Sequence, residues 1–119
     1  MSSSRNKAIH ILDRLYEIVA ARRDERPTDS YVVSLLDAGH EAIAAKIQEE
    51  SAELIAAARD ESDDALAHEV ADLIFHVWVM MASRQVEPTA VYAELDQRFG
   101  VGGLIEKASR NNAGEGGDS

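Results

Sequence analysis

Glu69-Val70-Ala71-Asp72-Leu73-Ile74-Phe75-His76-Val77-Trp78-Val79-Met80-Met81 is the stretch that decides the fold. Apolar side chains fill almost every position, so a helix running from about Asp64 to Arg84 is apolar nearly all round. Such a helix is buried on most of its sides. A chain of 119 residues has little material with which to surround it. The expectation is an all-α fold, a helical bundle built round an antiparallel pair of long helices and completed by dimerisation over Trp78 and its neighbours. Met80, Met81 and Trp78 read as core or interface rather than as the lining of a ligand pocket. Two acids interrupt this helix. Glu69 and Asp72 are three apart and share a face, where burial without partners would be costly.

The second long helix precedes it, from about His40 to Arg59. Within it Lys46-Ile47-Gln48-Glu49-Glu50-Ser51-Ala52-Glu53 puts Lys46, Glu49, Glu50 and Glu53 inside an arc of roughly 100°. This stripe borders the apolar stripe of Ile43, Ile47 and Leu54, at the edge of the core. Asp60-Glu61-Ser62-Asp63 reads as a turn with a cap. The 15 residues between Glu53 and Glu69 allow a tight helix hairpin that brings the two acidic groups face to face.

Farther out, Ala8, Ile11, Leu12, Leu15, Ile18 and Val19 recur at helical spacing over residues 6–24, with Arg14, Glu17, Arg22 and Arg23 opposite. Pro27 breaks the pattern and Asp29 or Ser30 can cap a short helix from Tyr31 to about Ala38. Gly39 ends or bends that helix. Glu87-Pro88 opens a fifth helix with Pro88 near its first position, stopping before Gly100. Gly100, Gly102 and Gly103 form a flexible joint, and Leu104–Arg110 make one more short helical turn. Residues 1–110 are expected to form one domain and 111–119, Gly-rich and polar, a disordered tail.

Composition narrows the function. Hydrophobic residues are 45% and aromatics 5%, which favours helix over strand. The formal charge is −10, so the overall field repels a nucleic-acid backbone and no nucleic-acid partner is expected. There is no cysteine, hence no disulfide, thiolate zinc site or cysteine nucleophile; this fits a cytoplasmic protein. No apolar run is expected to approach a membrane span, and the polar start Met1–Lys7 reads as no signal peptide.

Converging carboxylates without a matching Lys/Arg cluster call for a divalent cation. Oxygen-only ligands favour Mg²⁺, with Mn²⁺ as substitute, over zinc. Mg²⁺ completes its shell with water and substrate phosphates, so an acidic cluster holding it becomes a phosphate site. A solvated acidic face is the plain alternative for Glu49, Glu50 and Glu53, but core packing gives no reason for Glu69 and Asp72. His76 continues the face of Glu69 and Asp72. It is either a core histidine bonded to a neighbour or a group contacting a metal ligand or a phosphate. His68 faces elsewhere, and His10 and His40 lie at the surface.

Glu49-Glu50-x-x-Glu53 followed by Glu69-x-x-Asp72 resembles the EExxE…ExxD signature of the MazG-type all-α nucleoside triphosphate pyrophosphohydrolases. Within that superfamily the chain is similar to the phosphoribosyl-ATP pyrophosphohydrolases. Ser30-Tyr31 followed by Leu35-Leu36 and Gly39, Lys46 ahead of the paired glutamates, Ala71-Asp72-Leu73-Ile74-Phe75-His76, and Gly103-Leu104-Ile105-Glu106-Lys107-Ala108-Ser109-Arg110 carry the narrower likeness, over about residues 10–110. Gly102 stands where the family often has serine, so a polar contact from that position is missing.

The resemblance implies Mg²⁺-dependent hydrolysis of phosphoribosyl-ATP to phosphoribosyl-AMP and pyrophosphate, the second step of histidine biosynthesis. Relatives fused to the next enzyme need a cysteine-bearing zinc site, so the likeness is to the stand-alone form. It implies Glu50, Glu53, Glu69 and Asp72 as metal ligands. Glu49 joins them or positions the attacking water, and either Glu49 or Glu53 is the general base. Lys46 would meet a phosphate or balance the glutamates. Arg22, Arg23 and Tyr31 would meet the second phosphate or a ribose, with His76 nearby. Lys107 and Arg110 would reach the site from the tail of the partner in a homodimer. Two other readings stand beside it: a housekeeping (d)NTP pyrophosphohydrolase of the same superfamily, and a non-catalytic acidic helical adaptor.

Overall fold

The computed structural model describes the backbone of residues 4–100 and the side chains of residues 11–100. Among these there are five helices and no strand: α1 (Ser4–Glu25), α2 (Tyr31–Ala38), α3 (His40–Asp60), α4 (Asp63–Ser83) and α5 (Pro88–Phe99). Two compact units divide at Val86 and Glu87. The expected helical turn at 104–110, the tail at 111–119, and the contacts of Lys107 and Arg110 lie outside the described residues, as does the side chain of His10.

The first unit is built on α3 and α4, two 21-residue helices joined by Glu61 and Ser62 into an antiparallel hairpin. The joint is made locally. The Glu61 N–H returns to Ala57 O at 2.9 Å, and the Ser62 hydroxyl accepts from the Ala65 N–H at 3.1 Å. This closes α3 and caps α4 within a few residues. Ser30 caps α2 in the same way, accepting from the Val33 N–H at 3.2 Å. Gly39 links α2 to α3 at φ +100°, a conformation that a Cβ disfavours.

Four helices feed the core: Tyr16 and Val19 from α1, Val32 and Leu35 from α2, Ile43 from α3, and Trp78, Val79 and Ala82 from α4. Polar tips in this core all find partners. Trp78 Nε1–H donates to Leu12 O at 2.9 Å and Tyr16 O–H to Val86 O at 2.7 Å, with the two rings edge to face. These bonds set the rotation of α1, and they correct the sequence reading. The buried stripe runs through Leu12, Leu15, Tyr16 and Val19, while Ile11 is 66% exposed and Ile18 is exposed too. Arg23 also leaves the solvent face, donating from Nη1 to Ala82 O at 2.8 Å.

Among the described residues, much of α4 is left partly exposed. Only His76, Trp78, Val79 and Ala82 are buried; Leu73, Ile74, Phe75, Val77, Met80 and Met81 are half-buried, and Val70 is 38% exposed. By length and composition α4 is apolar enough to cross a membrane. Counting uninterrupted apolar residues misses this, because Glu69 and Asp72 break the run. Here α4 is the core helix of the bundle.

The second unit contains α5. Pro88 occupies its first turn, where a missing N–H costs nothing, and Gly100 ends it in the left-handed region at φ +65°, its N–H on Asp96 O at 2.7 Å. The expected fifth helix and its stop before Gly100 are both present.

Candidate metal centre

The hairpin brings the acids together as the helical spacing predicts. One turn of α3 presents Glu50 and one turn of α4 presents Glu69 and Asp72. One ligand atom from each lies within 4.8 Å of the others. Glu50 is a buried residue, 7% exposed, and Glu69 and Asp72 are half-buried. Glu50 Oε1 and Glu69 Oε1 are buried without a hydrogen-bond partner. Burial first, and then the charges of Glu53, Glu50 and Asp72, hold the Glu69 carboxyl above its ordinary pKa, with His68 opposing them. Buried acceptor oxygens without donors are expensive. A hard divalent cation meets that need, since it takes oxygen ligands and brings the charge that three crowded carboxylates lack.

The other two glutamates stand at the rim. Glu53 is exposed yet is the strongest charged neighbour raising Glu69; it is not one of the converging three. Glu49 is exposed and accepts from Lys46 Nζ at 3.2 Å. Lys46 therefore balances a glutamate. Its ammonium is held above the usual lysine range by the Glu49 hydrogen bond, and next by the nearby Tyr31 oxygen.

His68 does not face elsewhere. Its Nε2 lies 3.3 Å from Asp72 Oδ2, an i,i+4 pair at the edge of the cluster, although the His68 side chain is 70% exposed. That spacing was the available signal. His76 is buried and fully engaged, Nδ1 on Asp72 O at 2.8 Å and Nε2 on Tyr31 Oη at 2.9 Å. Tyr31 and His76 thus adjoin the cluster. Arg23 does not. Its guanidinium is committed to Ala82 O and Asp24, ten residues and so about 15 Å along α4 from Asp72. Arg22 is exposed.

The family model described as phosphoribosyl-ATP pyrophosphohydrolase matches residues 12–99. The chain belongs to the phosphoribosyl-ATP pyrophosphohydrolase family. A phosphoribosyl-ATP pyrophosphatase of Trichlorobacter lovleyi is 41% identical over 105 residues, covering 88% of this chain and 97% of the relative. One from Rhodopirellula baltica is 50% identical over 103 residues, covering 83% of this chain and 85% of the relative. The histidine biosynthesis bifunctional protein HisIE of Helicobacter hepaticus is 44% identical over 103 residues, which are 87% of this chain but 45% of that protein. The family match spans the five candidate acids, Glu49, Glu50, Glu53, Glu69 and Asp72, together with Lys46, Tyr31 and His76.

Proposed function

We propose that this chain hydrolyses phosphoribosyl-ATP to phosphoribosyl-AMP and pyrophosphate, with water attacking at the α–β phosphoanhydride, as the second step of histidine biosynthesis. The observation that carries the reading is the convergence of Glu50, Glu69 and Asp72, with two buried unpartnered oxygens, in a member of this family. Glu50, Glu69 and Asp72 would hold Mg²⁺, for which Mn²⁺ could substitute, with Glu53, whose charge acts on Glu69, as a further ligand. A bound divalent ion there neutralises charge on the phosphate oxygens and acidifies a water.

The chain's own residues do the rest. Glu49 and Glu53 are the exposed carboxylates beside the three. Glu49 is tied to Lys46 until that lysine turns to a phosphate, and either Glu49 or Glu53 takes the water's proton. Lys46 moves from Glu49 to a phosphate oxygen when the substrate arrives. Tyr31 and His76 line the nucleotide side. Lys107 and Arg110 are the tail cations assigned to the site, from this chain or from a partner subunit. A homodimer covers the half-buried apolar stripe of α4. The protein is cytoplasmic, with a small nucleotide as substrate and neither nucleic acid nor membrane as partner.

The test is pyrophosphate release from phosphoribosyl-ATP and from a panel of dNTPs, with Mg²⁺ and then with EDTA. Preferential hydrolysis of phosphoribosyl-ATP that stops with chelator and returns with Mg²⁺ is expected. Preference for dNTPs would make the chain a housekeeping pyrophosphohydrolase. No turnover, and no metal-dependent rise in Tm, would make it an adaptor.

A further inference from the structure

Behind the acidic cluster, three groups form a hydrogen-bonded series whose direction can be worked out. His76 on α4 is buried, its Nδ1 lies 2.8 Å from Asp72 O, and its Nε2 lies 2.9 Å from Tyr31 Oη at the start of α2. A carbonyl oxygen only accepts, so Nδ1 carries the proton. An uncharged imidazole has one N–H, which leaves Nε2 as a lone pair, and the Tyr31 O–H donates to it. The phenol ring is held in place as well, stacked on Phe75 at 6.0 Å between centroids and edge-on to His76 at 5.7 Å. Tyr31 is nonetheless 47% exposed and lies near Lys46 at the rim of the cluster.

Tyr31 has thus spent its only proton inward, and toward any further partner its oxygen can only accept. A nucleotide's ionised phosphate oxygens also only accept, so phenol and phosphate have no proton to share. Its sugar hydroxyls and ring amino group can donate. We infer that His76 is a positioning residue that fixes Tyr31 as a hydrogen-bond acceptor, and that Tyr31 takes a donor group of the nucleotide, a sugar hydroxyl or the ring amino group, rather than a phosphate oxygen. The inference rests on the reading above that the substrate is a nucleotide, and it assigns to one side chain the choice between phosphate and nucleoside.

The first experiment needs neither metal nor substrate. The ¹⁵N NMR spectrum of the full chain, labelled at histidine and recorded at about pH 8, where an ordinary imidazole is uncharged, reads the tautomer of His76 directly. A protonated Nδ1 with a lone pair on Nε2 is expected, with Tyr31→Phe shifting Nε2. A ring protonated on Nε2 overturns the inference.

The second experiment is kinetic. Tyr31→Phe should raise KM for phosphoribosyl-ATP about tenfold, the loss of about one hydrogen bond, with kcat within about twofold of wild type. His76→Gln keeps an acceptor for the phenol and should raise KM less than His76→Leu does. His76→Leu should raise KM as far as Tyr31→Phe does, with no further rise in the double variant. A fall in kcat at unchanged KM for Tyr31→Phe overturns the assignment, and that exposed substitution reads out even where His76→Leu fails to fold.

With ATP as competing ligand, the weakening caused by Tyr31→Phe should vanish for dideoxy-ATP if a hydroxyl is the donor, or for inosine triphosphate if the amino group is. A weakening that survives in both analogues overturns the donor assignment. A wild-type chain that releases no pyrophosphate from phosphoribosyl-ATP overturns the functional reading and the ligand half of this inference, while the NMR spectrum still decides the tautomer.

Discussion

Around Trp78, α4 meets α1 with every polar tip matched: indole N–H to Leu12 O, Tyr16 O–H to Val86 O, Arg23 Nη1 to Ala82 O. Two and a half turns earlier on the same helix, by 3.6 residues per turn, Glu69 faces Glu50 across to α3, and each has a buried oxygen without a partner. One chain has therefore satisfied its polar groups at one end of its central helix and left them unsatisfied at the other. The satisfied end holds the bundle together. The unsatisfied end carries a stability cost that only a ligand removes, which is the usual price of a preorganised site.

The largest expected effect follows at the unsatisfied end. Asp72→Asn or Glu69→Gln should lower turnover by at least about 100-fold, since even groups supporting a metal ligand are worth about 10- to 100-fold. Each should also abolish the rise in Tm on adding Mg²⁺, while circular dichroism stays helical. Near-wild-type rates in either variant would break the ligand assignment. The same substitutions should raise the stability of the metal-free protein. Glu50→Gln, removing a buried charge, should do so by about 1 kcal/mol, or about 5 °C in a domain of this size. A lower Tm instead would mean that the carboxylates are not in conflict.

The gain has a pH dependence whose sign is fixed. A carboxyl whose folded-state pKa lies above its unfolded one binds protons more tightly when folded. Its stability contribution is full below the unfolded pKa and is lost as pH rises through the folded one. Glu69 is such a group, raised chiefly by burial. Metal-free Glu69→Gln should therefore match the wild type in mildly acid solution and overtake it as pH rises past the ordinary glutamate range. Thermal melts across that range test this, and a gap that widens toward acid would reverse the sign.

At the satisfied end the expected order is opposite, with stability lost and chemistry kept per folded molecule. Trp78→Ala should cost about 3–5 kcal/mol, the usual range for emptying a buried large side chain, read as a fall in the denaturation midpoint. The metal response of whatever remains folded should persist.

The acidic end was legible in the sequence and the satisfied end much less so. Helical period puts Glu49, Glu50, Glu53, Glu69 and Asp72 on facing stripes, because carboxylates bordering an apolar stripe announce themselves, but it does not say which three converge. Ile11 and Ile18 mislead by the same logic. A stripe drawn through aliphatic residues ignores Tyr16, which buries its ring with its O–H donating to Val86 O. A backbone carbonyl has no signature in a sequence, so neither that bond nor those of Trp78 and Arg23 can be read in advance. His68 was missed for a simpler reason. Its neighbour Glu69 drew the reading, although the i,i+4 partner is Asp72. For Lys46 the sequence leaves a phosphate or the glutamates open; its pairing with Glu49 is the second, and is what a lysine at i,i+3 from a glutamate does while no phosphate is present.

Ser62→Ala gives a small effect and separates the two regions most cleanly. The Ser62 hydroxyl accepts from the Ala65 N–H at 3.1 Å and closes the first turn of α4. Losing such a cap costs about 1 kcal/mol. The cap stands at the same end of α4 as Glu69, less than two turns away by helical rise, yet it belongs to the satisfied class of polar groups. If the distinction is between satisfied and unsatisfied groups, Ser62→Ala should lower Tm by about 5 °C and leave the Mg²⁺-dependent increment as it is in the wild type. If instead that end of α4 is simply loose, removing the cap should weaken the metal increment too. The two increments, measured side by side in the same thermal-shift titration, choose between these accounts.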